Sequence, residues 1–338
     1  MSFDIPNTHV AVEVHAFASP PRIASVPTPV PLYGEVLVKV LLRPVNPSDV
    51  MSMRGSYPGL GPTRLPAVPG SDGMGVVAAL GEGAEGRFVI GQRVAGTPFP
   101  SGAGNGSWQQ FVTVDAGDLV AIPDGVSDVA AAQFFINPAT ALGLFETLAV
   151  PRGEYMLNVA AGSSIGRMIS AIAKDHGVRT IDVVRRRGAA AGLVGGEVVV
   201  TEDEEVFERV MAITGGRGAW GALDPVGGES TALAASVTRA GGTVIVYGML
   251  GGGSSSVSIP DLIMRGVNLR GFRLALWLKE MDGPTKRAKL GEVMELLVGG
   301  VIPTSDGERR YPLDDGGVAS AIATTERPGA SKVFLESY

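Results

Sequence analysis

Cysteine is absent from this chain of 338 residues, and histidine occurs only as His9, His15 and His176. Without cysteine, neither a disulfide nor a structural zinc site of four cysteines can form, and a catalytic zinc held by cysteine and histidine is excluded as well. Positive charge is also in the minority, since the net charge is −6 and the pI is near 5.2. We therefore expect no bound metal and no nucleic-acid partner.

Long apolar runs are missing too. No stretch approaches the roughly 20 residues that a membrane helix needs. The first residues, MSFDIPNTHVAVEVHAF, lack a basic segment followed by an apolar one. We expect a cytoplasmic protein without a membrane partner. What the chain does have is 45% hydrophobic residues, enough for a substantial core, and a length suited to two domains.

The order of strand and helix patterns divides the chain. The first ~130 residues are typical of short strands and tight turns, as in GEVLVKVLLRPV (34–45), and predict an antiparallel, partly open barrel. From about Gln133, strands and helices alternate, which predicts a parallel sheet with right-handed crossovers. NLRGFRLALW is expected to be a further strand at the edge of that sheet. A helix follows near 286–298, and SKVFLESY is expected to return to the first domain as a strand.

A loop in the second part has the layout of a dinucleotide site. NVAAGSSIG (158–166) joins a strand to a helix, but the fingerprint G-x-G-x-x-G would place Ala161, Ser163 and Gly166 at its three glycines. Small residues there would still let a pyrophosphate reach the helix N-terminus. The alternative is an ordinary turn between strand and helix.

The next strand indicates which cofactor such a site would hold. It ends in Arg185, Arg186 and Arg187, where an NAD site usually has a carboxylate for the ribose. Guanidinium groups suit a 2′-phosphate, so NADPH is favoured. Asp182 is a counter-signal, although it lies inside the strand, and a solvated basic turn is the plainer alternative.

Six segments together resemble one family. They are VNPSDVMSMRGSYPGLGPTRLPAVPGSDGMGVV, INPATALGLFETL, RTIDVVRRRG, LDPVGGEST, GGTVIVYGM and NLRGFRLALWLKE. The chain resembles the medium-chain dehydrogenase/reductase superfamily, and within it the zinc-free, mitochondrial-type 2-enoyl thioester (enoyl-CoA/ACP) reductases. The resemblance covers nearly the whole chain. It implies an α/β protein with a GroES-like, mostly β catalytic domain (1–130 and 275–338) and a Rossmann, doubly wound NADPH-binding domain (131–274).

The resemblance also implies roles for individual residues. Tyr57 matches the family's general acid, and Asn46 matches an asparagine close to it. Trp108 and Trp277 are assigned to the substrate pocket. Cofactor contacts are implied for Thr140, Ala161, Gly162, Ser163, Ser164, Ile165, Gly166, Arg185, Arg186, Arg187, Tyr247, Gly248, Met249, Phe272, Arg273, Leu274 and Lys332.

Each of these roles has a structural alternative. Tyr57 could simply cover a turn, Asn46 could form an Asx turn before its proline, and Thr140 could only begin a helix. Trp108 either lines the substrate entrance or packs. Two residues depart from the family, Arg186 and Arg273, which leaves open a substrate other than a fatty acyl thioester.

The implied reaction is the transfer of hydride from NADPH to C3 of a 2-enoyl thioester, with protonation at C2. The rival enzymes are an NADPH:quinone oxidoreductase and a related enone reductase, and a cofactor-sensing binding protein is the non-enzymatic alternative. Relatives pair through the edge strand of the parallel sheet, so we expect a homodimer.

Overall fold

The protein is described here by a computed structural model, which covers residues 4–56, 61–305, 307, 309–327 and 331–337. It divides into two compact units. The first unit comprises residues 1–136 and 304–338, and the second comprises residues 137–303. Within the described residues, the first unit holds a two-stranded and a seven-stranded sheet, the second holds a six-stranded sheet, and each unit has its own apolar core.

The strands and helices have the following bounds. The strands in the described residues are β1 (Thr8–Glu13), β2 (Arg22–Pro27), β3 (Glu35–Val45), β4 (Met74–Leu80), β5 (Arg93–Gly96), β6 (Phe111–Asp115), β7 (Leu119–Ala121), β8 (Tyr155–Val159), β9 (Arg179–Val184), β10 (Glu197–Val200), β11 (Ala219–Asp224), β12 (Thr238–Val246), β13 (Asn268–Gly271), β14 (Arg309–Pro312) and β15 (Val333–Glu336). The α-helices there are α1 (Pro47–Met53), α2 (Asp128–Ala132), α3 (Ile136–Leu148), α4 (Ser164–Asp175), α5 (Val206–Ile213), α6 (Glu229–Val237), α7 (Ile259–Ile263), α8 (Leu274–Lys279), α9 (Gly283–Val298) and α10 (Asp315–Thr325). None of these helices combines the length and the apolarity that a bilayer crossing requires.

The first unit is built on one long strand. β3 alternates and then becomes continuously buried, and it pairs antiparallel with β4, β6 and β15. The sheet runs in the order β14–β15–β3–β4–β5–β7, and irregular register between β3 and β4 bends it. The expected antiparallel, partly open barrel is confirmed. The return of the C-terminal segment is confirmed as well, since β15 pairs with β3 from Val333 opposite Val45 to Glu336 opposite Leu42.

The second unit is a parallel sheet with helical crossovers. Its strand order is β10–β9–β8–β11–β12–β13, and every pair in it is parallel. Counted along the chain, this is the order 3-2-1-4-5-6 of a doubly wound dinucleotide-binding fold. The apolar faces of β8, β9, β11 and β12 pack with α5 and α6 into one core. The predicted α/β fold class is therefore confirmed.

Two details differ from the sequence-based expectations. The strand in NLRGFRLALW ends at Gly271, and its second half is the helix α8. A short apolar run such as LALW does not reveal its period, so strand and helix cannot be separated from pattern alone. The division between units also falls at residue 304 rather than 275, because α9 stays with the second unit, where Lys289 pairs with Glu146 of α3.

Candidate functional site

The loop after β8 turns sharply into α4. Ala160 adopts a left-handed backbone with φ of 52°, and the Ala161 N–H then donates to the Val183 carbonyl at 3.1 Å. Ser163 caps α4, because its hydroxyl accepts the Gly166 N–H at 3.1 Å. The exposed Ser164 begins the helix, where the first N–H groups have no acceptor within the helix. The loop thus presents N–H donors and the positive end of the helix dipole at one edge of the sheet.

Two glycines are required here by close contacts rather than by an unusual backbone angle. A Cβ on Gly166 would lie 2.7 Å from the carbonyl oxygens of Ala160 and Ala161, so any side chain there would push the helix away from the loop. A Cβ on Gly162 would lie 2.7 Å from the Ala189 carbonyl oxygen, in the segment after β9. The loop therefore keeps glycine wherever two backbone segments approach each other, although it lacks the other fingerprint glycines.

Asp182 does not face a ribose site. Its carboxylate is fully buried and accepts hydrogen bonds from Ser170 Oγ at 2.7 Å, Asn158 Nδ2 at 2.9 Å and Thr180 Oγ1 at 3.0 Å. Burial raises the pKa of this carboxyl group, and the three donors partly oppose that shift. Asn158 also donates to the Gly166 carbonyl at 2.9 Å. Asp182 therefore helps to hold β8, β9 and α4 together. This structural role explains the presence of a carboxylate in β9 without a ribose contact of the kind found in NAD sites.

The tip of β9 is basic and open to solvent. Arg185, Arg186 and Arg187 are all exposed, and Arg187 begins a single 3₁₀ turn. Arg187 Nη2 lies 2.8 Å from Asp203 Oδ2 in an ion pair whose two side chains are both largely exposed. Such a pair contributes little and can exchange partners. The tip can therefore offer guanidinium groups to an anion.

The ends of β11 and β12 lie side by side. At the end of β11, the buried Asp224 accepts hydrogen bonds from the Val226 N–H at 2.8 Å and the Thr231 hydroxyl at 2.7 Å, which shapes the turn into α6. After β12, a Cβ on Gly248 would lie 2.4 Å from the Pro225 carbonyl oxygen, so only glycine fits. The Tyr247 hydroxyl is buried with no hydrogen-bond partner among the described residues, and burial raises its pKa. The predicted residues Tyr247, Gly248 and Met249 thus occupy this edge of the sheet, and the structural role of Asp224 had not been foreseen.

An aromatic pair packs on α3 beyond β13. The ring centroids of Phe272 and Trp277 are 6.2 Å apart, and both side chains approach the space that a Cβ on Gly143 would fill. Gly143 lies one turn after Thr140 on α3. Arg273 and Leu274 stand between the two aromatic residues, at the start of α8. The structure therefore brings Phe272, Trp277 and the helix of Thr140 together within the second unit.

In the first unit, Asn46 is the centre of a buried polar network. It caps α1, and its backbone N–H donates to Asp49 Oδ2 at 2.9 Å. Its Nδ2 donates to Asp72 Oδ2 at 2.9 Å, and its Oδ1 accepts a hydrogen bond from Lys332 Nζ. Asp72 also accepts the Ile136 N–H at 2.9 Å. Both sides of the Asn46 amide are thus held, which fixes its orientation.

Burial dominates the titration of this network. It raises the pKa of Asp49 to about 7, with the neighbouring Asp72 adding to the shift. It raises the pKa of Asp72 and lowers that of Lys332, although the attraction between these opposite charges works against both shifts. The sequence had pointed to Asn46 and Lys332 but not to Asp49 and Asp72, which complete the network.

The remaining predicted residues have different outcomes. Trp108 is fully buried in the apolar core of the first unit, and its assignment to the substrate pocket stays a prediction. Tyr57 lies outside the described residues. His9 is buried with Nε2 3.1 Å from Gln109 Oε1, whereas His15 and His176 are partly exposed. Within the described ranges, no three side chains of His, Cys, Asp or Glu form a group that could hold a metal ion.

The predicted cofactor residues of the second unit converge on one edge of the sheet. Residues 161–166 follow β8, 185–187 follow β9, 247–249 follow β12 and 272–274 follow β13. Because the strands are parallel, all of these positions lie at their carboxyl ends, where the strand order reverses between β8 and β11. That crevice is where doubly wound sheets bind dinucleotides.

Two family models match the chain. The alcohol dehydrogenase GroES-like domain matches residues 33–124, and the zinc-binding dehydrogenase domain matches residues 164–285. The first match falls in the barrel-like unit and the second in the parallel-sheet unit. The chain has no cysteine that could serve as a zinc ligand.

Individual proteins match over most of their length. The mitochondrial enoyl-[acyl-carrier-protein] reductase of Xenopus tropicalis is 31% identical over 92% of this chain and 89% of its own. A crystal structure from Bacillus thuringiensis, assigned as an NADPH:quinone reductase, is 28% identical with a TM-score of 0.87, covering 98% of this chain and 99% of its own. A mycobacterial protein complexed with NADPH is 26% identical with a TM-score of 0.80, covering 97% of this chain and 100% of its own.

Proposed function

Because the chain belongs to the medium-chain dehydrogenase/reductase superfamily, we propose that it is an NADPH-dependent reductase that adds hydride to C3 and a proton to C2 of a 2-enoyl thioester. The cofactor rests on one observation above all. The tip of β9 carries three exposed arginines, while the nearby carboxylate, Asp182, is turned inward and buried. The substrate class rests on the curated relatives named enoyl-[acyl-carrier-protein] reductase, which are 29–33% identical.

The residues at the edge of the sheet fit such a cofactor. The loop at 161–166 and the N-terminus of α4 would hold the pyrophosphate, and residues 185–187 would hold the 2′-phosphate. The buried Tyr247 hydroxyl, which has no partner among the described residues, would gain one from a bound molecule. When bound, NADPH supplies the hydride, and Thr140, Gly248, Met249 and residues 272–274 are the proposed contacts around the group that carries it.

We keep Tyr57 as the proposed proton donor, since a phenol can hydrogen-bond an enolate before it gives up its proton. Asn46 is the other proposed catalytic residue. Asp72 and Lys332 hold the Asn46 amide in one orientation, so the amide would need little reorganisation when negative charge develops on the thioester oxygen. Lys332 would therefore act on the site through Asn46.

A quinone reductase is the second candidate, and a related enone reductase is its closest variant. The quinone assignment is favoured by the Bacillus structure and by a mycobacterial quinone oxidoreductase that is 27% identical with a TM-score of 0.81. Arg273, exposed at the start of α8, is one of the two residues that depart from the resemblance to enoyl reductases, and it therefore supports testing both of these candidates.

Turnover separates these candidates. The purified protein is mixed with NADPH and, separately, a short 2-enoyl-CoA, a medium 2-enoyl-CoA or a simple quinone, and each reaction is repeated with NADH. The proposal expects the enoyl-CoA to be reduced fastest and NADPH to be preferred. Turnover of the quinone alone would select the second candidate, and tight NADPH binding without any turnover would leave a binding protein.

The reaction is proposed to be zinc-independent. The polarised thioester oxygen would be stabilised by fixed hydrogen-bond donors instead of a metal ion. Activity should then be unchanged after extensive dialysis against a chelator. Loss of activity that added Zn²⁺ restores would contradict this part of the proposal.

We also propose a homodimer that joins two copies of β13. This strand is the edge of the six-stranded sheet, all four of its residues are exposed, and Leu269 is 43% exposed. The side chains of Ile263 and Met264, just before it, are more exposed still. Light scattering should give twice the mass of the chain at micromolar concentration, and Leu269→Lys should shift that mass toward the monomer.

A further inference from the structure

Arg167 links the two loops that the proposed function assigns to the phosphates of the cofactor. It lies in the first turn of α4, and its Nε donates to the Gly162 carbonyl at 3.1 Å. Its Nη2 donates to the Ala189 carbonyl at 3.1 Å, and its Nη1 donates to the Ala191 carbonyl. One side chain therefore bonds the loop after β8 and, twice, the segment after β9.

The contact between these two loops is tight even apart from Arg167. A Cβ on Gly162 would lie 2.7 Å from the Ala189 carbonyl oxygen. Gly192, with φ of 79°, leaves the space that the guanidinium occupies, since a Cβ there would lie 3.0 Å from Arg167 Nη1. The two backbones are thus packed against each other, and Arg167 ties them across that contact.

The segment that Arg167 holds includes the turn that begins at Arg187. The arginines at 185–187 are exposed, and the ion pair of Arg187 with the exposed Asp203 holds that side chain only weakly. The three bonds from Arg167 join a charged donor to backbone carbonyls, which are stronger contacts. The bond from the Ala161 N–H to the Val183 carbonyl holds the base of the tip to the pyrophosphate loop, and Arg167 adds the side-chain link to the turn beyond it.

We propose that Arg167 is a positioning residue that determines the preference for NADPH over NADH. It holds the arginine tip at the distance from the loop after β8 at which one cofactor can place its pyrophosphate and its 2′-phosphate together. Each of its three nitrogens donates to a backbone carbonyl, so we assign it to holding the loops, and the titrations below test whether its remaining N–H groups bind phosphate instead. The inference rests on the proposed function, namely that NADPH binds at this edge of the sheet.

The experiment measures the dissociation constants of NADPH and NADH by fluorescence titration for the wild type, Arg167→Met and Arg167→Lys. Arg152→Met is the matched control, because Arg152 is exposed in the loop before β8, at the opposite edge of the sheet. We expect Arg167→Met to weaken NADPH binding on the order of tenfold and NADH binding much less. Lysine can reach only one of the carbonyls, so the NADPH affinity of Arg167→Lys should lie between those of the wild type and Arg167→Met. Arg152→Met should keep the wild-type ratio of NADPH to NADH affinity.

Gly162→Ala provides a second route, because it pushes the loops apart while leaving Arg167 in place. It should also lower the ratio of NADPH to NADH affinity. Unchanged preference in Arg167→Met and Gly162→Ala would overturn the inference, and so would an equal loss for both cofactors in Arg167→Met, which would make Arg167 a pyrophosphate ligand. A wild type that binds no NADPH would instead refute the proposed function itself.

Discussion

Replacing Gly166 by alanine should loosen the turn on which the second unit is built. The added Cβ would lie 2.7 Å from three backbone atoms of residues 160 and 161, which cannot move away as a flexible side chain could. The Gly166 carbonyl also accepts a bond from Asn158, whose amide in turn binds Asp182. A shift of α4 would therefore disturb the buried network that joins β8, β9 and the helix.

The expected cost follows from these contacts. Overpacking of this kind costs about 1–3 kcal/mol, and a weakened buried hydrogen bond adds about 1 kcal/mol. We therefore expect Gly166→Ala to lower the free energy of unfolding of the second unit by about 2–4 kcal/mol. NADPH affinity should fall as well, about tenfold for each 1.4 kcal/mol of binding free energy that the displaced loop no longer supplies.

Urea denaturation, followed by circular dichroism, measures the effect, and Gly291→Ala is the matched control. Gly291 is exposed in α9, in the same unit, and a Cβ there would meet nothing within 4 Å. Because alanine is the better helix former, the control should gain up to about 1 kcal/mol. If both variants unfolded at the same urea concentration as the wild type, the close-contact explanation of Gly166 would be refuted.

Three further predictions concern other parts of the molecule. Lys332→Met removes the cation beside two buried aspartates, so it should cost about 2–4 kcal/mol in urea denaturation, and the double variant with Asp72→Asn should recover part of that loss. Burial lowers the pKa of His9 from 6.5, so as the pH falls below 6.5 the unfolded chain binds a proton that the folded chain does not, and the free energy of unfolding decreases. His9→Gln should make this decrease smaller, which urea denaturation of both proteins at several pH values would measure. Arg185→Ala combined with Arg187→Ala should lower the affinity for NADPH by at least tenfold while NADH binding stays nearly the same, and an unchanged ratio in titrations would contradict the phosphate assignment.

The periodicity of hydrophobic residues predicted the main sheet of each unit, because strands and helices are marked by patterns between residues that are close in sequence. Alternation in GEVLVKVLLRPV marked the long strand β3, and the regular spacing of strands and helices marked the parallel sheet. The C-terminal return was also predictable, since SKVFLESY has the pattern of a strand and the parallel sheet already had its own strands. Local pattern failed at LALW, where α8 begins, because a short apolar run fits either period.

The candidate site was predictable only where its residues follow one another along the chain. The loop at 161–166 and the tip at 185–187 each follow a strand, so the topology alone places them at one edge. Asn46 and Asp72 are 26 residues apart, and Asn46 and Lys332 are 286 apart, so no local signal reveals their hydrogen bonds. The same is true of the bonds from Arg167 to Ala189 and Ala191, which belong to the segment after β9.

The most direct test of the central claim follows the transferred hydrogen. The protein is given a 2-enoyl-CoA and NADPH that carries deuterium at the transferred position, in ordinary water, and the saturated product is examined by mass spectrometry and NMR. The account predicts one deuterium at C3, and in the reverse labelling, with ordinary NADPH in heavy water, one deuterium at C2. A product without deuterium at C3, or no saturated thioester while a quinone is reduced, would contradict it.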